Sequence, residues 1–227
     1  MNGVMVSFPL NTQETDILMI IAIHNRYDVT LHLHDGLQRL EDEYGQSDWV
    51  GLVSSGAVIR QTSGSVQQLA TWLPNYPASF GIALSNSNVG VTPHPKIRTI
   101  EKLALVYAGA LDNASTIHKT LFDAGYDLIF DIDQDIIFTL LTHYLAVGLS
   151  PLEAMRMLFM RLQGRFAVMA LFTEPYEQLL VGTQGYPLAF GVASESVMVS
   201  FDIAMLKRLY HTVINLEEGS PVLLCSV

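Results

Sequence analysis

The stretch from residue 178 to 202 constrains the fold of this chain more than any other. It reads QLLVGTQGYPLAFGVASESVMVSFD and contains three short apolar runs separated by Gly, Pro and Ser, at 179–181, 187–193 and 197–201. Runs of this kind predict an antiparallel meander. Because the runs are apolar at nearly every residue, we expect both faces of these strands to be covered. Asp202 is then placed to cap a helix over 203–209.

Apolar runs and capping residues divide the remainder of the chain into further strands and helices. Ser150, with proline next to it and Glu153 three residues later, is a strong helix start. The pattern predicts strands at 1–8, 17–23, 49–53, 57–61, 80–84, 103–107, 165–173, 213–216 and 221–225. It predicts helices at 29–44, 66–73, 114–124, 131–148 and 150–162, and a loop at 85–98. The pattern alone therefore predicts an α+β fold.

Composition and charge exclude several classes of function. Twelve basic and twenty-two acidic residues give a net charge of −10, which disfavours nucleic acid as a partner. A single cysteine, Cys225, excludes an internal disulfide framework and fits a reducing, cytoplasmic compartment. We see no secretory signal, and the apolar segment 136–149 is too short to span a bilayer. Only 15% of residues are charged, so we expect part of the surface to be covered by a partner or a second copy.

Several motifs carry a resemblance to a known family. Residues 182–191 read GTQGYPLAFG, residues 195–202 read ESVMVSFD, and residues 131–137 read DIDQDII. Their frame resembles that of the class II glutamine amidotransferases of the N-terminal-nucleophile hydrolase type, in particular the glutaminase domain of glucosamine-6-phosphate synthase. The resemblance implies a four-layer αββα sandwich. It also implies one domain over residues 1–227, with 1–16 as a possible N-terminal extension.

In the resembled family, the first residue of the mature chain is a cysteine whose thiol attacks the glutamine amide while its own α-amino group acts as the base. Two frames place that position in this chain. One puts Asn2 there, because Met1-Asn2-Gly3 mirrors Met-Cys-Gly. The other puts Leu18 there, because it keeps the family's spacing to the following helix, and we prefer it. Neither side chain can form an acyl-enzyme, so the sequence predicts no catalytic residue.

The rest of the implied pocket is altered as well. The family's oxyanion-hole Asn-Gly pair corresponds to Ala108 and Gly109, so the amide donor is absent while a backbone N–H remains. The family's carboxylate-binding arginine has no counterpart in residues 84–90. The aspartate that holds the substrate amine corresponds to Asp133. Each retained residue also has a plainer interpretation: Asp133 as an acidic residue at a helix start, and Gly109 as the end of a strand with positive φ.

These features predict a glutamine amidotransferase-like domain without glutaminase activity that acts in binding, assembly or regulation. We expect no cofactor, and no metal, because His32 and His34 are two residues apart on a helix and point to different sides. The expected partners are glutamine or a related small molecule, a second copy, or an isomerase-type domain, without nucleic acid or membrane. One alternative is an active enzyme in which trimming exposes Ser7, Thr12 or Thr15. Another is a purely structural subunit.

Overall fold

The computed structural model describes residues 19–25, 29–44, 48–54, 58–63, 66–75, 80–86, 96–100, 103–126, 128, 132–174 and 177–225. The strands in chain order are β1 (Met19–Asn25), β2 (Asp48–Ser54), β3 (Val58–Ser63), β4 (Phe80–Asn86), β5 (Lys96–Ile100), β6 (Leu103–Leu111), β7 (Gly164–Phe172), β8 (Gln178–Gln184), β9 (Ala189–Val192), β10 (Ser196–Ser200), β11 (Thr212–Asn215) and β12 (Val222–Cys225). The predicted strand at 1–8 lies outside the described residues.

Six α-helices accompany these strands in the described part of the chain. They are α1 (Thr30–Tyr44), α2 (Val66–Trp72), α3 (Ala114–Asp123), α4 (Ile132–Ala146), α5 (Pro151–Arg161) and α6 (Ile203–Leu209). The predicted capping box of α5 is confirmed: the Ser150 hydroxyl accepts the Glu153 N–H, and the Glu153 carboxylate accepts the Ser150 N–H. Asp202 also caps α6 as predicted, since its Oδ1 accepts the Met205 N–H at 2.7 Å.

The strands form two antiparallel sheets that pack face to face. The seven-stranded sheet has the order β11-β9-β10-β1-β4-β2-β3, and the five-stranded sheet has the order β12-β8-β7-β6-β5. Alternate residues of β6 and β7 face opposite sides. One set, including Val106 and Met169, packs between the sheets with Phe190 and Val199 of the other sheet.

Helices cover the outer faces of both sheets. The second set of β6 and β7 residues, including Leu105 and Val168, packs against α4 and α5. On the other side, α1, α2 and α6 pack over the seven-stranded sheet around Ala189 and Met198. Layers therefore follow in the order helix, sheet, sheet, helix, which confirms the predicted αββα sandwich.

The predicted meander is wrong at its first connection. Strands β9 and β10 pair as expected, but β8 pairs with β7 and β12 in the other sheet. The chain crosses between the sheets at Gly185–Leu188, where Gly185 has a φ of +74° and Pro187 has no N–H to donate to a ladder. Both faces of β8 are covered, as predicted, because it lies inside the sandwich.

Two further boundaries differ from the predictions. Residues 85–98 were expected to form a loop, but Ser85 and Asn86 extend β4, and Lys96–Ile100 forms β5. Among the described strands, β5 pairs only with β6, and such an edge position accepts the basic and polar residues that obscured the strand pattern. The strand predicted at 103–107 continues to Leu111, because β7 pairs with it as far as Gly164.

The layer between the sheets should dominate stability. Met169 in this layer has no exposed surface, whereas Met160 on α5 is 81% exposed. Replacing Met169 by alanine leaves a cavity, so we expect Met169→Ala to lower the free energy of unfolding by about 2–5 kcal/mol. The matched control, Met160→Ala, should change it by less than about 0.5 kcal/mol. Urea denaturation measures both, and equal effects would contradict the assignment of this layer as core.

Candidate functional site

The end of β6 carries Ala108 and Gly109, two of the three residues predicted to line the pocket. Tyr107 belongs to the cluster under the helices and is 1% exposed. Its neighbour Ala108 belongs to the layer between the sheets and is 4% exposed. Where the resembled family has a carboxamide donor, this structure therefore has a methyl group packed among apolar side chains. No side-chain hydrogen bond can be donated from that position.

Gly109 follows within the same strand, and its backbone explains why glycine stands there. Its φ is +114°, a region that other residues rarely adopt. A Cβ atom at this position would also overlap the carbonyl oxygen of Arg165 on β7. The predicted positive φ is confirmed, but the prediction that Gly109 ends the strand is wrong, since the ladder continues to Leu111.

Asp133 lies in the first turn of α4 and joins that helix to the end of β6. Its Oδ2 accepts a hydrogen bond from the Tyr107 hydroxyl at 2.9 Å and another from the Leu111 N–H at 3.0 Å. These two partners flank Gly109 on β6, so the carboxylate lies on the helix side of that strand. These two hydrogen bonds thus stabilise the junction between a strand and a helix.

The predicted pocket residues therefore meet at the end of β6 but on opposite sides of that strand. Ala108 faces the other sheet, whereas the Asp133 carboxylate approaches β6 from the helix side, at the residues that flank Gly109. The two candidate nucleophile positions, Asn2 and Leu18, lie outside the described residues, as does the segment 87–95.

Arg165 is a polar feature of this region that sequence reasoning missed. It pairs with Ala110 in the ladder, and its Nε and Nη2 donate to the Gly185 carbonyl at 3.3 and 3.1 Å. Its guanidinium also lies 5.5 Å from the centre of the Tyr186 ring. An arginine at the start of a strand gives no sequence signal for contacts made twenty residues away, so only the structure reveals them.

Cys225 lies far from this region. Cys225 pairs with Gln178 of β8. Gln178 pairs with Phe172 of β7, which pairs in turn with Leu103, the first residue of β6. Gly109 is six residues farther along β6, which corresponds to about 20 Å at roughly 3.4 Å per residue. The backbone position of Cys225 is therefore remote from Gly109.

Neither a metal centre nor a membrane span emerges from the described residues. No three of their His, Cys, Asp and Glu side chains are grouped so that they could hold a metal ion. Both His32 and His34 lie on α1, where His32 is exposed and His34 is partly exposed. Among the helices in the described ranges, none is long and apolar enough to cross a membrane.

The link between β6 and α4 gives a direct test of the site geometry. Tyr107→Phe removes the donor to Asp133, and we expect it to lower the free energy of unfolding by about 1.5–3 kcal/mol, as is usual for hydrogen bonds to charged groups. Asp133→Ala removes both β6 contacts and should cost at least as much. In a double-mutant cycle, the two changes should be coupled by at least about 0.5 kcal/mol. Additive effects would show that the two side chains do not interact.

The chain is similar in sequence to several known proteins. No family model matches the chain. It is 29% identical over 206 residues to the glutamine–fructose-6-phosphate aminotransferase (isomerizing) of Bartonella henselae, covering 88% of this chain and 34% of the relative. It is 30% identical over 209 residues to the Brucella abortus enzyme of the same name, again covering 88% and 34%. The chain thus spans about a third of the length of the curated relatives it matches.

Solved structures of low sequence identity share the fold. A glutamine phosphoribosylpyrophosphate amidotransferase from B. subtilis superposes with a TM-score of 0.70 at 16% identity, over 90% of this chain and 46% of that one. A glutamine aminotransferase class-II domain protein from Silicibacter pomeroyi gives 0.57 at 10% identity, over 90% and 94%. The chain therefore has the fold of the class II glutamine amidotransferases, of the N-terminal-nucleophile hydrolase type, and is similar over most of its length to part of the glutamine–fructose-6-phosphate aminotransferases.

Proposed function

We propose that this chain is a glutamine amidotransferase-like domain that has lost glutaminase activity and acts in binding, assembly or regulation. In this proposal, residues 1–227 form one domain related to the glutaminase half of glucosamine-6-phosphate synthase, with 1–16 as an extension. It acts in the cytoplasm. Glutamine or a related small molecule is its ligand, and a second copy or an isomerase-type domain is its partner.

The observation that carries the proposal is the residue at the nucleophile position. Amide hydrolysis through an acyl-enzyme needs a thiol or hydroxyl that attacks the carbonyl carbon. Leu18 offers a hydrocarbon in the preferred frame, and Asn2 offers a carboxamide in the other. Neither group can form the covalent intermediate, whatever surrounds it.

The geometry at the end of β6 supports the same conclusion. The methyl group of Ala108 is buried in an apolar layer, so it supplies no hydrogen bond to a developing oxyanion. Loss of one oxyanion donor typically lowers the rate by about 10²–10³-fold. The Asp133 carboxylate, which would be expected to receive a substrate amine, accepts donors from β6 instead.

Among the described residues, hydroxyl groups near this region are also held in inert arrangements. Thr183 lies on β8 and pairs with Ala167 of β7, which pairs in turn with Ala108 of β6. Its hydroxyl is buried and donates to the Tyr186 carbonyl at 2.8 Å, so no base accepts its proton. The Tyr107 hydroxyl donates to a structural carboxylate. These contacts favour loss of activity over transfer of the nucleophile's role to a neighbouring side chain.

A glutamine hydrolysis assay tests the proposal. We expect the full chain to release no glutamate above a protein-free blank. The Bartonella henselae relative, assayed in parallel, serves as the positive control. N-terminal sequencing of the same preparation should show an untrimmed start, because the proposal needs no new N-terminus.

Two variants separate the possible sources of any activity. Glutamate release that disappears in a Ser7→Ala, Thr12→Ala, Thr15→Ala chain would show that a trimmed hydroxyl is the nucleophile. Release that survives this triple substitution but disappears in Thr183→Ala would assign the role to β8. Either result would overturn the proposal that the chain is inactive.

A further inference from the structure

A groove of about 590 Å³ lies in the outer helical layer over the seven-stranded sheet. It is formed by α1, by the end of α6 and by the turn that joins β9 to β10. Its volume falls in the range of about 300–1,000 Å³ that is usual for small-molecule sites. The polar side chains that line it are those of His32, Asp35, Ser194, Ser196, Tyr210 and His211.

This groove is separate from the candidate site at the end of β6. Ser196 in its wall pairs with Asn25, the last residue of β1. The preferred nucleophile position adjoins Met19 at the opposite end of the same strand, six residues away. Six residues of a β-strand span about 20 Å. The inference drawn from the groove therefore does not depend on the proposed function.

The floor of the groove is apolar and rigidly packed. Met198 on β10 is 2% exposed, and Leu209 on α6 is partly buried. The Tyr210 ring lies directly against Gly191 of β9, where a Cβ atom would overlap the ring carbons. Because glycine stands at this position, the ring can approach the backbone of β9 closely. The floor thus offers a nonpolar surface bordered by an aromatic ring.

Polar groups surround this floor with both donors and acceptors. The Tyr210 hydroxyl is hydrogen-bonded to Ser196, and burial, together with the negative charge of Asp35, raises the pKa of Tyr210. The phenol therefore keeps its proton at neutral pH. Asp35 contributes a carboxylate that is 59% exposed, and His32 and His211 add imidazole nitrogens at the exposed edge.

The charge of the lining determines which ligands suit it. No lysine or arginine is among the described residues that line the groove. The one carboxylate, Asp35, is paired with the Arg39 guanidinium at 3.1 Å, so the pair carries no net charge. A phosphate or carboxylate would meet no lysine or arginine among the described lining residues, and the neighbouring Arg39 is already paired with Asp35. A neutral ligand rich in hydroxyl groups can share the donors and acceptors of this lining without needing a counter-charge.

We propose that this groove binds a neutral pyranose sugar. The C–H face of the ring rests on Met198, Leu209 and the Tyr210 ring. The sugar hydroxyls exchange hydrogen bonds with Asp35, the two serines and the imidazoles. Each of these contacts uses a group that already faces the groove, so binding requires no rearrangement of the two sheets.

Titration of the full chain with D-glucose, D-galactose and D-mannose tests the proposal, followed by the NMR signals of the histidine rings. We expect at least one sugar to shift the His32 and His211 signals saturably, with a dissociation constant on the order of 1 mM for a few hydrogen bonds in an open groove. His118 on α3 lies on the opposite side of the sandwich, and its signal should not move. Absence of a saturable shift with all three sugars would overturn the proposal.

Variants identify the binding surface. Tyr210→Phe removes a hydroxyl, and Asp35→Asn replaces one acceptor oxygen by an amide donor, so each should weaken sugar binding by about fivefold. The matched control Asp123→Asn, at the end of α3, should leave it unchanged. Gly191→Ala pushes the Tyr210 ring off β9 and should abolish binding.

Glucose 6-phosphate should bind more weakly than glucose, and tighter binding of the phosphate would contradict a site for neutral ligands.

Discussion

The apolar layer between the two sheets is the interaction on which the rest of the structure depends. Strands β7 and β8 are covered on both faces along their central residues, which are apolar at 166–172 and 179–181. The polar side chains of these two strands, such as Arg165 and Thr183, lie towards the strand ends. This distribution explains why the polar features lie at the end of β6, at the Gly185–Leu188 crossing and in the groove beside α1 and α6.

Because the fold depends on this layer, it can persist when the residues at the strand ends change. Ala108 fits the layer as well as any small apolar residue would, and its packing has no need of an amide. Asp133 illustrates the same separation, since its hydrogen bonds to Tyr107 and Leu111 join α4 to β6 without any ligand. A scaffold of this type can therefore keep its architecture when the residues at its strand ends differ.

Features governed by local chemistry could be predicted from the sequence, whereas pairing between distant segments could not. The capping box at Ser150 and the cap at Asp202 depend on residues within one helical turn. The partner of β8 depends on where the chain crosses between sheets, and three equally apolar runs carry no signal for that choice. Asn113, which precedes α3, makes its side-chain hydrogen bonds to the backbone of Arg161 and Gln163, so it does not cap the helix with its side chain.

We propose that the nucleophile position of this amidotransferase fold holds a side chain that cannot attack a glutamine amide. Incubation of the full chain with a diazoketone analogue of glutamine, followed by intact-mass spectrometry and peptide mapping, tests it most directly. The analogue binds like glutamine and alkylates whichever nucleophile lies beside the bound amide position. We expect the mass of the protein to remain unchanged. A stoichiometric adduct mapped to one serine, threonine or cysteine, and prevented by excess glutamine, would contradict it.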